Sequence, residues 1–163
     1  MALAEFGARS FVDSYAHVMD RRELEDYVRE HYTEERMRAE LDDPDGATFL
    51  ALDPDIVAFV QLRCGNRPAC ELVATSPAEL RRIYVDKRRH GHGIAQALLS
   101  RAVDAARGMG MDVLWLAVWE INDRAIAFYR KSGFEVAGRQ GFPIGHEVQT
   151  DFVMAKALAD ELH

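Results

Sequence analysis

Hydrophobic spacing divides the chain into alternating helical and strand-like stretches. Phe11, Tyr15 and Val18, with Val12 alongside, recur at helical intervals. A second short helix is expected near Arg22 to His31, burying Leu24, Tyr27 or Val28. Thr33 then reads as an N-cap with Glu34 and Glu35 in the first turn, and Met37 and Leu41 continue the apolar face. Asp43-Pro44-Asp45-Gly46 ends that helix, and two strands follow, Thr48 to Leu52 and Ile56 to Leu62, joined at Asp53-Pro54-Asp55. The polar stretch Arg63 to Pro77 reads as a loop.

The stretch from Glu79 to Ala106 organises the rest. It reads as a strand, a basic turn with two glycines, and a helix beginning at the second glycine. Leu80 is out of phase with Ile83 and Val85, so a regular strand would place them on opposite faces. A bulge near Arg81 and Arg82 restores one phase and twists the strand from its neighbour. After the turn, Ile94, Leu98 and Ala102 share one line, with Leu99, Val103 and Ala106 beside it, and Gly108 and Gly110 supply the stop. Val113 to Trp119 is continuously apolar and reads as a buried strand. Asn122 or Asp123 caps a helix from Arg124 to Ser132, with Ala125, Phe128 and Tyr129 inward and Gly133 ending it. Phe134 to Gly138 reads as a strand, Gly141-Phe142-Pro143 as a turn, Glu147 to Lys156 as the last strand, and Ala157 to His163 as a frayed tail. No internal repeat or linker interrupts the pattern, and residues 1–163 are expected to form a single domain.

Composition narrows the classes. The net charge is −7, and residues 1–45 hold thirteen acids against six bases, so the whole imbalance lies there. Such a surface is a poor match for nucleic acid, and reads either as a face for a cationic small molecule or peptide or as solvated helix faces. No apolar run approaches a membrane span and residues 1–20 lack a signal-peptide pattern, which implies no membrane partner and a cytoplasmic location. Cys64 and Cys70 make neither a disulfide framework nor a zinc quartet.

The chemistry begins at the turn. Gly91 and Gly93 can take positive φ, the first amides of the following helix have no intrahelical partner, and Lys87, Arg88 and Arg89 add charge, so the turn is expected to bind phosphates. A Walker A loop is excluded because Ile94 and Ala95 follow Gly93, and a dinucleotide fingerprint fails at Gln96. His90 and His92 lack a third ligand and sit among positive charges, so no metal site is expected.

What fits is R-x-x-G-x-G at Arg88, Gly91 and Gly93, followed by N-D-R-A-I-A-F-Y-R-K-S-G-F from Asn122 to Phe134. These two motifs, in this order with a strand between, resemble the pyrophosphate loop and the N-x-x-A-x-x-F-Y-x-K-x-G-F motif of the GNAT superfamily of N-acetyltransferases, over roughly Glu79 to Gly138. Within it, E-L-R-R-I-Y-V, V-W-E-x-N and the ending F-x-x-G-x-E-x-Q-T-D-F-V-M resemble the PaiA-type polyamine acetyltransferases. The resemblance implies a mixed α/β fold with a central twisted sheet, a bulged fourth strand splayed from the fifth, and flanking helices. It departs in one respect: a strand normally precedes the first helix, and here Met1 lies almost at the helix itself.

The resemblance further implies acetyl-CoA as co-substrate, held by Ile83, Tyr84, Val85, Arg88, Arg89, His90, Gly91, His92, Gly93, Ile94, Ala95, Asn122, Phe128, Tyr129 and Lys131. It implies Tyr129 as general acid toward the departing thiolate. An alkylamine has a pKa of roughly 10, so attack needs a base. Glu79 is either that base, acting through water, or a surface carboxylate paired with Arg81 or Arg82. The backbone amide of Val85 is the expected oxyanion donor. The acceptor is expected between the N-terminal helices and the splayed strands, with Glu23, Asp26, Glu30 and Glu34 as candidates for ammonium recognition. The function expected is acetyl transfer to a primary amine of a small cationic acceptor, polyamines first. The alternatives are a protein N-terminal or lysine acetyltransferase and a non-catalytic acetyl-CoA sensor. A homodimer is the expected assembly.

Overall fold

The computed structural model describes residues 1–158. Its elements are α1 (Ala2–Tyr15), α2 (Arg21–His31), α3 (Glu34–Asp42), β1 (Gly46–Leu52), β2 (Ile56–Cys64), β3 (Pro77–Val85), α4 (Ile94–Gly108), β4 (Val113–Trp119), α5 (Asp123–Lys131), β5 (Glu135–Ile144) and β6 (Glu147–Ala157). The strands form one mixed sheet in the order β1-β2-β3-β4-β6-β5, and α1 is the first described element, with no strand ahead of it. The bulged strand is therefore the third rather than the fourth. No helix among the described residues is long and apolar enough to cross a membrane.

Two apolar layers sandwich the sheet. On one face α4 buries Leu98, Leu99, Ala102, Val103 and Ala106, and α5 buries Ile126 and Tyr129, against Val60, Leu62, Leu80, Leu114 and Leu116. On the other face α1 to α3 bury Leu3, Phe6, Phe11, Leu24 and Met37 with Phe59 and Ile144. Helix α1 starts nine residues before Phe11 and stops at Tyr15, which leaves Val18 outside it and exposed. The cause is local: the Asp20 carboxylate accepts from the Arg22 N–H at 2.7 Å and starts α2, so the chain must turn between Ala16 and Met19. Thr33 caps α3 as expected, accepting from the Arg36 N–H at 3.1 Å.

Leu41 is exposed, contrary to its apolar spacing, because Glu40 takes the inward position after Met37. Glu40 answers two arginines. Opposite β2, Gln61 pairs with Arg82 and Leu62 with Leu80, so Arg81 is the extra residue of a bulge, as the phase break predicted. Arg82 then donates to Glu40 at 2.6 Å and to Gln61 at 2.7 Å over the Tyr32 ring, and Arg81 reaches Glu40 at 3.3 Å. Only about a tenth of the Glu40 side chain is exposed. Glu40→Ala strands this guanidinium pair and is expected to lower unfolding free energy by about 3 kcal/mol in a urea titration. A loss under about 1 kcal/mol would show the bulge does not depend on it.

Three boundaries differ from the sequence reading. The Asn122 side chain, rather than Asp123, caps α5, accepting from the Ala125 N–H at 3.2 Å, so the helix runs one residue earlier at each end. Gly141-Phe142-Pro143 is not a turn: β5 runs straight through it, and the chain reverses at Gly145-His146, where Gly145 has φ +57°. Pro143 is tolerated because β5 is the outermost strand. Ala157 ends β6 and Leu158 is buried, its N–H donating to the Asp112 carbonyl at 2.8 Å, so the expected fraying does not begin there; Ala159–His163 lie outside the described residues.

Candidate active site

The site begins with a defect in the sheet. Strands β3 and β4 pair in parallel only from Pro77 to Glu79 and Val113 to Trp115, and then separate. Beyond that apex β4 is held by β6 alone, and Ala117 is exposed between the buried Leu116 and Val118. The Asp86 N–H donates to the Val57 carbonyl and Tyr84 pairs with Phe59. Antiparallel alternation then turns the backbone groups of Ile83 and Val85 toward the open side. The side chains of Ile83 and Val85 pack on the α4 face, whereas Tyr84 packs under α1 to α3, against Phe59. Burial among Tyr32 and Tyr15 pushes the Tyr84 phenol well above its ordinary range.

The turn closing the open end is built as an anion cradle. Gly91 and Gly93 have φ of +84° and +76°, and Gly93 is the N-cap of α4 with no side chain over its first amides. A Cβ at either glycine would meet nothing within 4 Å, so conformation rather than crowding demands glycine, and the surface above the amides is open to a large anion. His92 is exposed beside them, and Ile94 and Ala95 open the helix half-buried. His90 Nε2 lies 3.1 Å from the Val85 carbonyl. The cations are less free than their number suggests: Arg88 pairs with Asp86 at 2.8 Å, Arg89 with Asp53 at 2.6 Å, and Lys87 with Asp13 at 3.6 Å. The Arg88 hydrogen bonds hold the Asp86 carboxyl far below the usual range. Gly93→Ala forces an L-residue to positive φ, at a cost of about 1 kcal/mol. It is expected to raise the KM for acetyl-CoA severalfold in a thiol-release assay, and an unchanged KM would remove the turn from the cofactor site.

Helix α5 supplies the floor. Tyr129 is 9% exposed and sits edge-on to Phe128 at 5.3 Å and Phe134 at 5.8 Å. Its hydroxyl has no hydrogen-bond partner among the described residues. Burial raises its pKa above the ordinary tyrosine value, and Tyr15, from the opposite face of the sheet, raises it further. Asn122 and Lys131 lie exposed at the two ends of α5, and Phe128 is half-buried.

Glu79 stands at the apex, in register with Trp115. Arg81 and Arg82 turn to Glu40, so neither pairs with it. Its Oε2 accepts instead from Asn66 Nδ2 at 2.8 Å, Asn66 accepts from Arg63 at 2.7 Å, and the Asn66 carbonyl accepts from the Trp115 indole at 2.8 Å.

Of the four acids expected at the acceptor, two are taken up by cations and the others lie against neighbouring elements. Glu34 pairs with Arg38 and the N-terminal ammonium, Asp26 with Arg29, Glu30 lies beside His31, and Glu23 packs against the Gly145 turn. A different carboxylate, on β6, has no partner among the described residues. Asp151 of β6 lies opposite Trp119, whose ring is 6.5 Å from that of Tyr15. It is 7% exposed, and burial followed by the neighbouring Glu120 lifts its pKa to about 6. Its signal in the sequence is an acid two residues before, and in phase with, the buried Val153 of the same strand.

Comparison with known proteins agrees with this geometry. Residues 12–134 match the model of the acetyltransferase (GNAT) family. An uncharacterized N-acetyltransferase from the pepI 3′ region of Lactobacillus delbrueckii subsp. lactis is 29% identical over 96% of this chain and 92% of its own. The spermidine N(1)-acetyltransferase of Thermoplasma acidophilum is 25% identical over 94% and 88%. The crystal structure of the PaiA N-acetyltransferase from the same organism, in complex with coenzyme A, superposes with a TM-score of 0.75 at 25% identity, covering 96% of this chain and 91% of that one. A parted sheet, an open amide turn that a CoA pyrophosphate would fit and a matching family model lead to one conclusion: the chain belongs to the GNAT family and is an acetyl-CoA-dependent N-acetyltransferase.

Proposed function

We propose that the protein transfers the acetyl group of acetyl-CoA directly to a primary amine of a small cationic acceptor, with polyamines the first class to test. The observation that carries this reading is the unpartnered hydroxyl of the otherwise buried Tyr129 at the sheet opening, with Asp151 on the other face of the sheet. The polyamine class is supported by the spermidine N(1)-acetyltransferase and PaiA relatives.

In this reading the turn amides at Gly93, Ile94 and Ala95 hold the phosphates, with Arg88, Arg89 and His92 around them and Asn122, Phe128 and Lys131 on the α5 side. The Val85 N–H, on the open side of β3, is the donor to the carbonyl oxygen as charge develops there. Glu79, oriented by Asn66, takes the amine proton through water. Tyr129 gives its proton to the departing thiolate, and burial keeps that proton in place at any working pH.

The test is thiol release from acetyl-CoA with and without spermidine. Release that requires spermidine supports the reading. Release with peptide N-termini or lysines alone would move the acceptor to proteins, and acetyl-CoA binding without release to any amine would make the chain a sensor. We propose a homodimer and a cytoplasmic location as well; the exposed Leu50 and Leu52 on the outer strand β1 support a dimer, and a monomeric mass by light scattering would overturn it.

A further inference from the structure

Strand β6 carries two acceptors that lack donors. Among the described residues Gln149 Oε1 is buried with no hydrogen-bond partner, and the carboxylate of Asp151, a residue only 7% exposed, has no hydrogen-bond or ion-pair partner and keeps a narrow contact with the opening. The strand is regular from Glu147 to Ala157, so Gln149 and Asp151 point to the same face, about 7 Å apart along it. That face is the one covered by α1 and α2, where Phe142, opposite Gln149, lies 6.0 Å from Tyr27, and Trp119, opposite Asp151, lies 6.5 Å from Tyr15. Glu120 is fixed alongside, its N–H donating to the Thr150 carbonyl at 3.1 Å, close enough for its charge to act on Asp151. The groups that bear on Asp151 are Glu120 and Tyr15, and no cation is among them.

Buried acceptors are satisfied in native proteins, and an unmet one beside two unpaired carboxylates calls for a cationic donor. A primary ammonium has three N–H donors and one positive charge, and aromatic walls suit it. The reacting nitrogen cannot be that group, because attack requires it neutral. The charge recognised here must therefore belong to a second nitrogen of the same molecule.

We propose that Gln149, Asp151 and Glu120 bind the non-reacting ammonium group of a diamine or polyamine, so that the enzyme selects acceptors with two amino groups over those with one. This rests on the small-amine reading above and specifies the substrate within it. Asp151 supplies the buried charge, Gln149 an oriented neutral acceptor, and Glu120 the wetter rim. The reacting amine then lies toward the apex, where Ala117 is exposed and Glu79 and Tyr129 stand on either side of the sheet opening.

The test compares 1,4-diaminobutane with n-butylamine, which differ by one nitrogen. Wild type is expected to favour the diamine in kcat/KM by at least tenfold, with Asp151→Asn and Gln149→Leu each removing most of that preference through KM. The KM for acetyl-CoA should stay within twofold. An unchanged preference in both variants overturns the assignment, as does equal use of the two amines by the wild type. If no amine supports turnover, the small-amine reading fails. The pocket is then judged by calorimetry of 1,4-diaminobutane with the CoA-loaded protein: binding that Asp151→Asn weakens tenfold sustains it, and absent or unaffected binding overturns it. Melting curves of both variants show whether the fold is intact.

Discussion

Tyr129→Phe is expected to lower kcat by about 10²- to 10³-fold, with the KM values for acetyl-CoA and amine little changed. The substitution removes one oxygen and nothing else. That oxygen has no hydrogen-bond partner among the described residues, so its loss strands no donor and opens no cavity. The Phe128 and Phe134 edges still find a six-membered ring between them. Stability by thermal melting should therefore stay level or rise slightly, which separates a chemical role from a packing one. Burial holds the phenol protonated beyond pH 10, so wild-type kcat should show no alkaline limb at ordinary tyrosine pKa. A variant with kcat within threefold of wild type would remove Tyr129 from proton transfer.

Asp151→Asn should do the opposite to stability and to substrate use. In the folded chain the carboxyl is raised to about 6, chiefly by burial and then by Glu120, above its ordinary value near 4. The folded state therefore binds this proton more tightly than the unfolded state does. The carboxylate costs nothing below about pH 4, and its cost grows as pH rises through 6 and is complete above about 7. The shift alone corresponds to about 3 kcal/mol, and contact with the wet opening reduces this to about 2 kcal/mol. Free of ligand, the amide variant should thus be more stable than wild type by about 2 kcal/mol at pH 8, and the difference should close by pH 4. The same change should raise the KM for the diamine. For wild type, that KM should climb as pH falls below 6, where the carboxylate takes up a proton. Urea titrations at pH 4 and pH 8 decide it: a variant less stable than wild type at pH 8 would mean that Asp151 has a partner in the fold. Such a residue is kept for binding at the expense of stability.

The cofactor side of this site was legible in the chain because it depends on local backbone rules. Two positive-φ glycines, a helix start without a side-chain cap, and a phase break at Arg81 are features that neighbouring residues dictate. The Asn122–Phe134 motif is likewise one helix with its cap and its stop. The acceptor side was not legible, because it depends on which charges find partners across the fold. Counting acids pointed to Glu23, Asp26, Glu30 and Glu34, two of which meet arginines on their own helices. Asp151 is only one residue of the last strand in the sequence, and the pairing of β6 with β4 alone sets it opposite Trp119. Gly141-Phe142-Pro143 misled in the same way. It has turn composition, but its place on the outermost strand lets proline sit without a ladder partner for its nitrogen.

The order β4-β6-β5 has a consequence for how the protein is made. β6 is the last of the described strands to leave the ribosome, yet it is inserted between two strands synthesised before it. Until it arrives, β5 has no neighbour, and β4 has only the three-residue contact with β3 that leaves the opening between them. The gap that admits the substrate is thus affordable to β4 only once its other edge is filled. Nascent chains lacking Glu147 to Ala157 should expose an unpaired apolar strand, a surface for chaperones to hold, and the opening between β3 and β4 should take shape only once β6 is available. A nascent-chain series tethered at increasing lengths, probed by proteolysis of β4, should show protection appearing in one step as β6 clears the tunnel.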